Sequence, residues 1–349
     1  MKTKSNYTKL IPIVAFAALT ACGGGGGGGA TGGAAAPAVA AAPADTFFPS
    51  NFVISVPTPT FAPGSEELAA FNLLNAERTQ CGFGKLAQNT QLDAAARAHA
   101  DYQLRNNVDS HFENQTQFPT GFTGVDDVAR MIFAGYTNVG ASTDEYVVTT
   151  GLGTKTGLGE RGIRNLLSAP YHMAGLLGSY RDIGMSLRNG ADVSSSTTRV
   201  IFQVNPAYKT SAGPQLMGSA DVLTYPCEGT TGAIRQLLNE EPNPVPGRNL
   251  ATQPLGTAIY MAVREGRVLR ITSSSVTKTS TGASVVMRAA IDSSNDPIAP
   301  CNRGCFQSYE AYVIPDAPLD ANSRYDVVVS GTNNGTPFTR SFRFETGSN

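Results

Sequence analysis

A run of seven glycines, Gly23–Gly29, followed by ATGGAAAPAVAAAPAD and PSNFVISVPTPTFAPG, limits where this chain can fold. Glycine loses the most backbone freedom on ordering, and Ala/Pro-rich sequence offers too little apolar surface to compensate. Residues 22–64 are therefore predicted to be a flexible tether whose job is reach. The fold is left to residues 65–349, long enough for about two packed domains.

What precedes the glycines explains a tether. Lys2, Lys4 and Lys9 form a basic start, and Ile11 to Leu19 is an apolar stretch too short to span a bilayer stably. Leu19-Thr20-Ala21-Cys22 resembles a bacterial lipoprotein box. Residues 1–21 are then a signal peptide, Cys22 is lipidated, and the membrane is a partner. An ordinary secretory signal with an unrelated cysteine is the competing reading. Gly23 follows the cysteine where an acidic residue would favour inner-membrane retention. The expected location is thus the cell envelope, at the outer membrane or cell surface.

That compartment permits disulfides, and the cysteine count fits it. Of five cysteines, setting aside Cys22 leaves Cys81, Cys227, Cys301 and Cys305. Three pairings are formally possible. The most economical closes the short CNRGC loop with Cys301–Cys305 and leaves Cys81–Cys227 as a long-range bridge. The same CNRGC spacing fits a metal knuckle, but no second ligand pair lies nearby. The formal charge of −1, with 15% charged residues and no basic run, gives nucleic acid no electrostatic foothold.

SEELAAFNLLNAERTQ has helical spacing, with Ser65 as cap and Glu66 and Glu67 in the first turn. TQLDAAARAHADYQLRNN predicts a second helix, with Thr90 and Asp93 as a capping pair and His99 on its apolar stripe as a packing residue. Helical character is predicted again at VDDVARMIFAGY, around DEYVVTTGL and in RNLLSAPYHMAGLLGS. RDIGMSLRNG and TRVIFQVNP have strand composition. From about Ser211 short alternating runs dominate: TAIYMAV, VLRITSSSV, ASVVMRAAI, YEAYVI, RYDVVVSG and TPFTRSFRF, with an Asn333-Asn334-Gly335 turn between the last two. This predicts a β-sandwich over 211–349, and the approach from Pro318 to Tyr325 resembles the tyrosine corner of immunoglobulin-like domains. Its expected role is spacing or binding.

In order and spacing, LLNAERTQCGFGKLAQNTQLDAAARAHADYQLRNN, SHFE, ARMIFAGY, SAPYHMAGLLGSYRDIGMSL and RVIFQVNP resemble the CAP superfamily. This family comprises cysteine-rich secretory proteins, antigen 5, pathogenesis-related proteins and their bacterial SCP-like relatives. The resemblance runs from about Glu67 to Asn205 and implies an α–β–α sandwich over 65–210. The whole chain is then α+β, with an immunoglobulin-like module appended. In much of that family two histidines and two glutamates line a cleft that can hold a divalent cation. His111 and His172 match the histidines. VGAST falls where relatives carry Gly-Glu-Asn, so Ala141 stands for the first glutamate, while Glu145 and Glu160 lie where a carboxylate could come from. Glu113, two residues after His111, reads as a solvated neighbour. With His99 committed to packing, too few ligands remain for a catalytic zinc, so weak or no metal binding is expected.

No Gly-x-Ser-x-Gly elbow, P-loop or dinucleotide fingerprint is present. The expected function is a non-enzymatic binding module for a lipid-like or sterol-like molecule or an envelope partner, with no resident cofactor. A divalent-metal-assisted hydrolase using His111 and His172 is the alternative.

Overall fold

The computed structural model describes residues 47–151, 154–298 and 305–349. The expected signal peptide and lipoprotein box, Cys22 and Cys301 lie outside them. Residues Thr46–Asn349 belong to one compact unit. Among the described residues no helix is long and apolar enough to cross a membrane.

The N-terminal half runs α1 (Glu66–Gln80), β1 (Ala87–Gln88), α2 (Thr90–Asn106), α3 (Asp127–Phe133), β2 (Val139–Ser142), β3 (Glu145–Thr149), α4 (Leu158–Leu166), α5 (Pro170–Leu177), β4 (Asp182–Asn189) and β5 (Val200–Lys209). Ser65 caps α1 as its position predicts, its Oγ accepting from the Leu68 N–H. In α2 the cap is Asn89 rather than Thr90. Asp93 does not close a capping box; its Oδ1 accepts from the Met185 N–H at 2.8 Å. The DEYVVTTGL segment, predicted helical, is strand β3. Its β-branched and aromatic residues fit the pleat, and β5 offers it a full antiparallel edge.

The sheet has the order β1-β4-β5-β2, and β3 continues along the same edge of β5 as β2. β1 is parallel to β4; β4 and β5 are antiparallel. Period-two alternation divides β5 between two layers. Val200, Phe202 and Val204 pack with Phe71 and Leu74 of α1, Ile163 of α4 and Met173 of α5. Ile201 and Ala207 face the other way, onto Ala100 and Leu92 of α2. At the α2 crossing β4 has Gly184, where a Cβ would lie 2.1 Å from the Leu92 carbonyl carbon. Helices thus cover both faces of the sheet.

The C-terminal half holds β6 (Leu223–Tyr225), β7 (Gln236–Leu237), β8 (Leu255–Gly256), β9 (Ile259–Ala262), β10 (Leu269–Lys278), β11 (Ile291–Asp292), β12 (Glu310–Val313), β13 (Arg324–Asn333) and β14 (Thr336–Glu345). One sheet has the order β11-β12-β9-β6, another β10-β13-β14, and β7 pairs with β8. Asn334 and Gly335, both at positive φ, turn β13 into β14 as the Asn-Gly signal predicts. The Tyr325 hydroxyl accepts from the Asp320 N–H at 2.8 Å, a backbone tie of the tyrosine-corner kind. Of ASVVMRAAI, only Ile291 belongs to a strand; Ser284 and Met287 make isolated bridges.

The β9–β12 sheet is buried on both faces. Ile259, Met261, Ala311 and Val313 pack against Val327 and Phe344 of the outer sheet. Tyr260, Ala262, Tyr312 and Ile314 join the core of α1, α4 and α5. A boundary near 210 therefore cuts through a continuous apolar core.

The described part of the expected tether does not hang free of the fold. Residues 47–64 form an extended strap bound to both halves. Phe48 and Ser219 exchange hydrogen bonds, Asn51 pairs with Leu216, and Lys85 N–H donates to the Val53 carbonyl. Val56 and Phe61 pack on the core. Composition hid this because the strap's partners lie far along the chain. The Cys81–Cys227 disulfide is present and adds a covalent tie from α1 to the C-terminal half. Cys305 is also disulfide-bonded, while Cys301 is not among the described residues.

Glu310 is buried in this middle sheet, its carboxylate accepting from Tyr260 O–H and Gln307 N–H. Burial pushes its pKa up from 4.5 to about 7, partly opposed by those two donors. The raised folded value means the native state holds a proton that the unfolded chain releases. Stability therefore falls as pH rises from 4.5 to about 7, by on the order of 3 kcal/mol from this group. Glu310→Gln should flatten that slope, raising the denaturation midpoint at pH 8 and leaving it little changed at pH 4.5. Equal slopes in urea titrations of both proteins would refute this.

Candidate functional site

The loop after α2 brings His111 back beside the start of β3, and the first turn of α5 carries His172. Between them stand Asp144 and Glu145. His111 Nδ1 lies 3.4 Å from Asp144 Oδ1, and His172 Nε2 lies 3.8 Å from Glu145 Oε2. The two imidazole centroids are 6.5 Å apart, and the Tyr146 ring meets His111 edge-on at 4.8 Å. Glu145, expected as a possible carboxylate, is one. Asp144 escapes the sequence reading, and with it the cleft is not short of a carboxylate at Ala141. Ala141 is in β2, paired opposite Tyr208. The carboxylates enter a few residues later, where β2 gives way to β3.

Each side chain has a specific support. Asp144 Oδ2 accepts from Arg130 Nη2 at 2.8 Å and from Gln203 Nε2 at 3.3 Å. Arg130, projecting from α3 and fully buried, also donates to the His111 carbonyl at 3.0 Å. Burial works to raise the Asp144 pKa, but the His111 bond and the Arg130 charge outweigh it and hold the carboxyl low. Glu145 has fewer donors. Burial pushes it up to about 7, with His172 and His111 opposing, and Thr143 O–H donates to it at 2.8 Å.

Burial also works against charge on the imidazoles. At His172 the Glu240 hydrogen bond and the Glu145 and Glu240 charges win, and its pKa is pushed up to about 9. His111 is raised in the same sense by Asp144, although its side chain remains 39% exposed. Glu240 is a residue that the sequence did not flag. It comes from the loop between β7 and β8, in the C-terminal half that carries no histidine, and places Oε1 3.5 Å from His172 Nδ1.

Two expectations need correction. Glu113 is not solvated: it is 2% exposed, and His99 Nδ1 lies 2.9 Å from its Oε1. Thr123 N–H and Gly124 N–H also donate to it. The signal was available in His99, since an imidazole buried on a helix stripe requires a partner. His99 itself is the packing residue expected, with its pKa lowered chiefly by burial. Glu160, in turn, stands exposed on α4, and among the described residues no hydrogen bond or ion pair is seen between it and His111, Asp144, Glu145 or His172. Among the described residues, no group of three or more His, Cys, Asp or Glu side chains is spaced to hold a metal ion.

No family model and no curated protein matches the sequence. Solved structures similar to parts of it include the following two. One is an outer surface protein from Borrelia burgdorferi, at 14% identity over 43% of this chain and 97% of that one, with a TM-score of 0.33. The other is an extracellular protein containing an SCP domain from Bacillus anthracis str. Ames. Here identity is 16% over 44% of this chain, which spans 45% of that one, with a TM-score of 0.33. The chain itself is α+β, with helices on both faces of one sheet and a second, all-β half.

Proposed function

We propose that the chain is a surface-anchored lipoprotein in which a CAP-like domain serves as a non-enzymatic binding module, with the His111/His172 cleft as its recognition site. The observation that carries this reading is the placement of His172. Its Nδ1 lies 3.5 Å from Glu240 and its Nε2 3.8 Å from Glu145, a placement that favours the imidazolium and pushes its pKa up to about 9. A protonated imidazole has no lone pair for a metal ion or for an incoming proton, but it donates strong charge-assisted hydrogen bonds. Tyr146, its ring edge-on against His111, gives the site an apolar side. That combination suits a lipid-like molecule with a neutral acceptor head, because Asp144 and Glu145 already stand beside the imidazoles, or an envelope partner presenting such an acceptor. The lipoprotein box at Cys22 supports a place at the outer membrane or cell surface, with no resident cofactor and no nucleic acid.

The hydrolase alternative is favoured by a different detail. Asp144 faces His111 at Nδ1, the arrangement in which a carboxylate orients an imidazole for acid–base work.

The test is native mass spectrometry and solvent extraction of the full chain purified from its envelope. An amphipathic molecule should co-purify, and His172→Gln should weaken its retention about tenfold or more, the loss of one charge-assisted hydrogen bond. A cleft empty in every preparation counts against binding. Micromolar or tighter Zn²⁺ binding by calorimetry, lost in His111→Ala, would transfer the site to the hydrolase reading.

A further inference from the structure

Helix α5 begins without a cap of its own. Its N-cap is Ala169, which has no side chain to bond the free N–H groups, and Pro170 follows. The missing acceptor comes from the other half of the molecule. Tyr171 N–H donates to Glu240 Oε1 at 2.7 Å, and the next N–H, of His172, also stabilises that carboxylate. The same oxygen lies 3.5 Å from His172 Nδ1. A carboxylate is well suited to this place, since a helix N-terminus favours negative charge.

Glu240 is otherwise an unexpected residue for an apolar core. Its side chain is fully buried, and among the described residues its Oε2 has no hydrogen-bond partner. Buried carboxylates are costly unless a cation or several donors hold them. Here both are supplied by α5: the donors by its first turn, the cation by His172. The groups facing the His172 ring are Glu240 on one side and Glu145 with Asp144 on the other, with the His111 ring across the cleft.

We propose that Glu240 is a positioning residue for the cleft: it caps α5 from the C-terminal half and, through Nδ1, fixes the His172 ring so that Nε2 points at Glu145. The C-terminal half is then a structural part of the recognition site and not a spacer. The inference rests on the cleft reading above for its functional meaning, but its geometry stands without any ligand.

Selective ¹⁵N-histidine labelling of the full chain isolates the question, because there are only three histidines to observe. His→Gln variants assign the signals. In the wild type, His172 Nδ1 should carry a hydrogen-bonded proton that exchanges slowly. A neutral His172 with a bare Nδ1 overturns the proposal without any variant. Glu240→Gln keeps an oxygen to cap α5, so the fold should persist by near-UV circular dichroism while the His172 signals move from imidazolium toward neutral values at pH 7.5. Glu240→Asp should restore imidazolium values at least in part. His172 shifts unchanged in Glu240→Gln would show that Glu240 does not set the ring. A cleft that binds no ligand leaves all these signatures in place, so the two ideas fail separately.

Discussion

Replacing Arg130 with methionine is expected to destabilise the folded chain by about 3–5 kcal/mol, the cost of leaving a buried charge without its partner. Arg130 and Asp144 are both buried, and their 2.8 Å ion pair joins α3 to the start of β3. Methionine fills much of the volume but leaves the Asp144 carboxylate and the His111 carbonyl without the guanidinium. The melting temperature should fall by on the order of 10 °C. The His111 loop should loosen with it, since Arg130 holds that backbone directly. Adding Asp144→Asn should recover part of the loss, because the amide needs no counter-charge. A double variant no more stable than Arg130→Met would mean that the ion pair is not what Arg130 contributes. Chemical denaturation of the four proteins in a double-mutant cycle gives the answer.

The second large effect concerns the Cys81–Cys227 bridge. It closes a loop of 146 residues, and removing it by Cys81→Ala with Cys227→Ala frees the unfolded chain. The expected loss is about 3–5 kcal/mol, smaller than that if the unfolded chain retains structure. Both cysteines lie in a buried pocket with Thr230, whose hydroxyl accepts from the Cys227 N–H at 3.0 Å. Alanine therefore fits without leaving a polar group unpaired. Unreduced peptide mapping should show the bridge intact in the wild type, and the double variant should unfold at lower denaturant. Free thiols at both positions, or an unchanged midpoint, would refute the expectation.

How much of this was legible in the sequence follows from the range of the interactions. Helix α1 was readable because its signals are local: a serine, two glutamates and an apolar stripe. The β13–β14 hairpin was readable for the same reason, since Asn334 and Gly335 need no distant partner to turn. Where a residue answers to a distant partner, local signals misled. Asp93 looks like half of a capping box, yet it bonds the Met185 N–H in the sheet. The β3 segment has ambiguous composition and becomes a strand because β5 lies beside it. In the cleft, His111, His172 and Glu145 were legible as types in an order. Asp144 and Glu145 are neighbours in sequence that face different imidazoles, and spacing does not tell which of the two belongs to which. Glu240 carried no signal at all. Its meaning arises only when the β7–β8 loop comes against α5.

The strap at residues 47–64 has a mechanical consequence. Any pull transmitted from the N-terminal side of Phe47 reaches the folded body through this segment before it reaches α1. The bonds at Phe48, Asn51 and Val53 lie in series, so load meets them one after another and peels them from 215–219. Releasing the strap up to Ser65 frees on the order of 60 Å of extended chain. Only then does force arrive at Ser65, and α1 is still tied across the molecule through Cys81. A pull on the N-terminal side is thus taken up first by the strap, before it loads the helices that hold the histidine cleft.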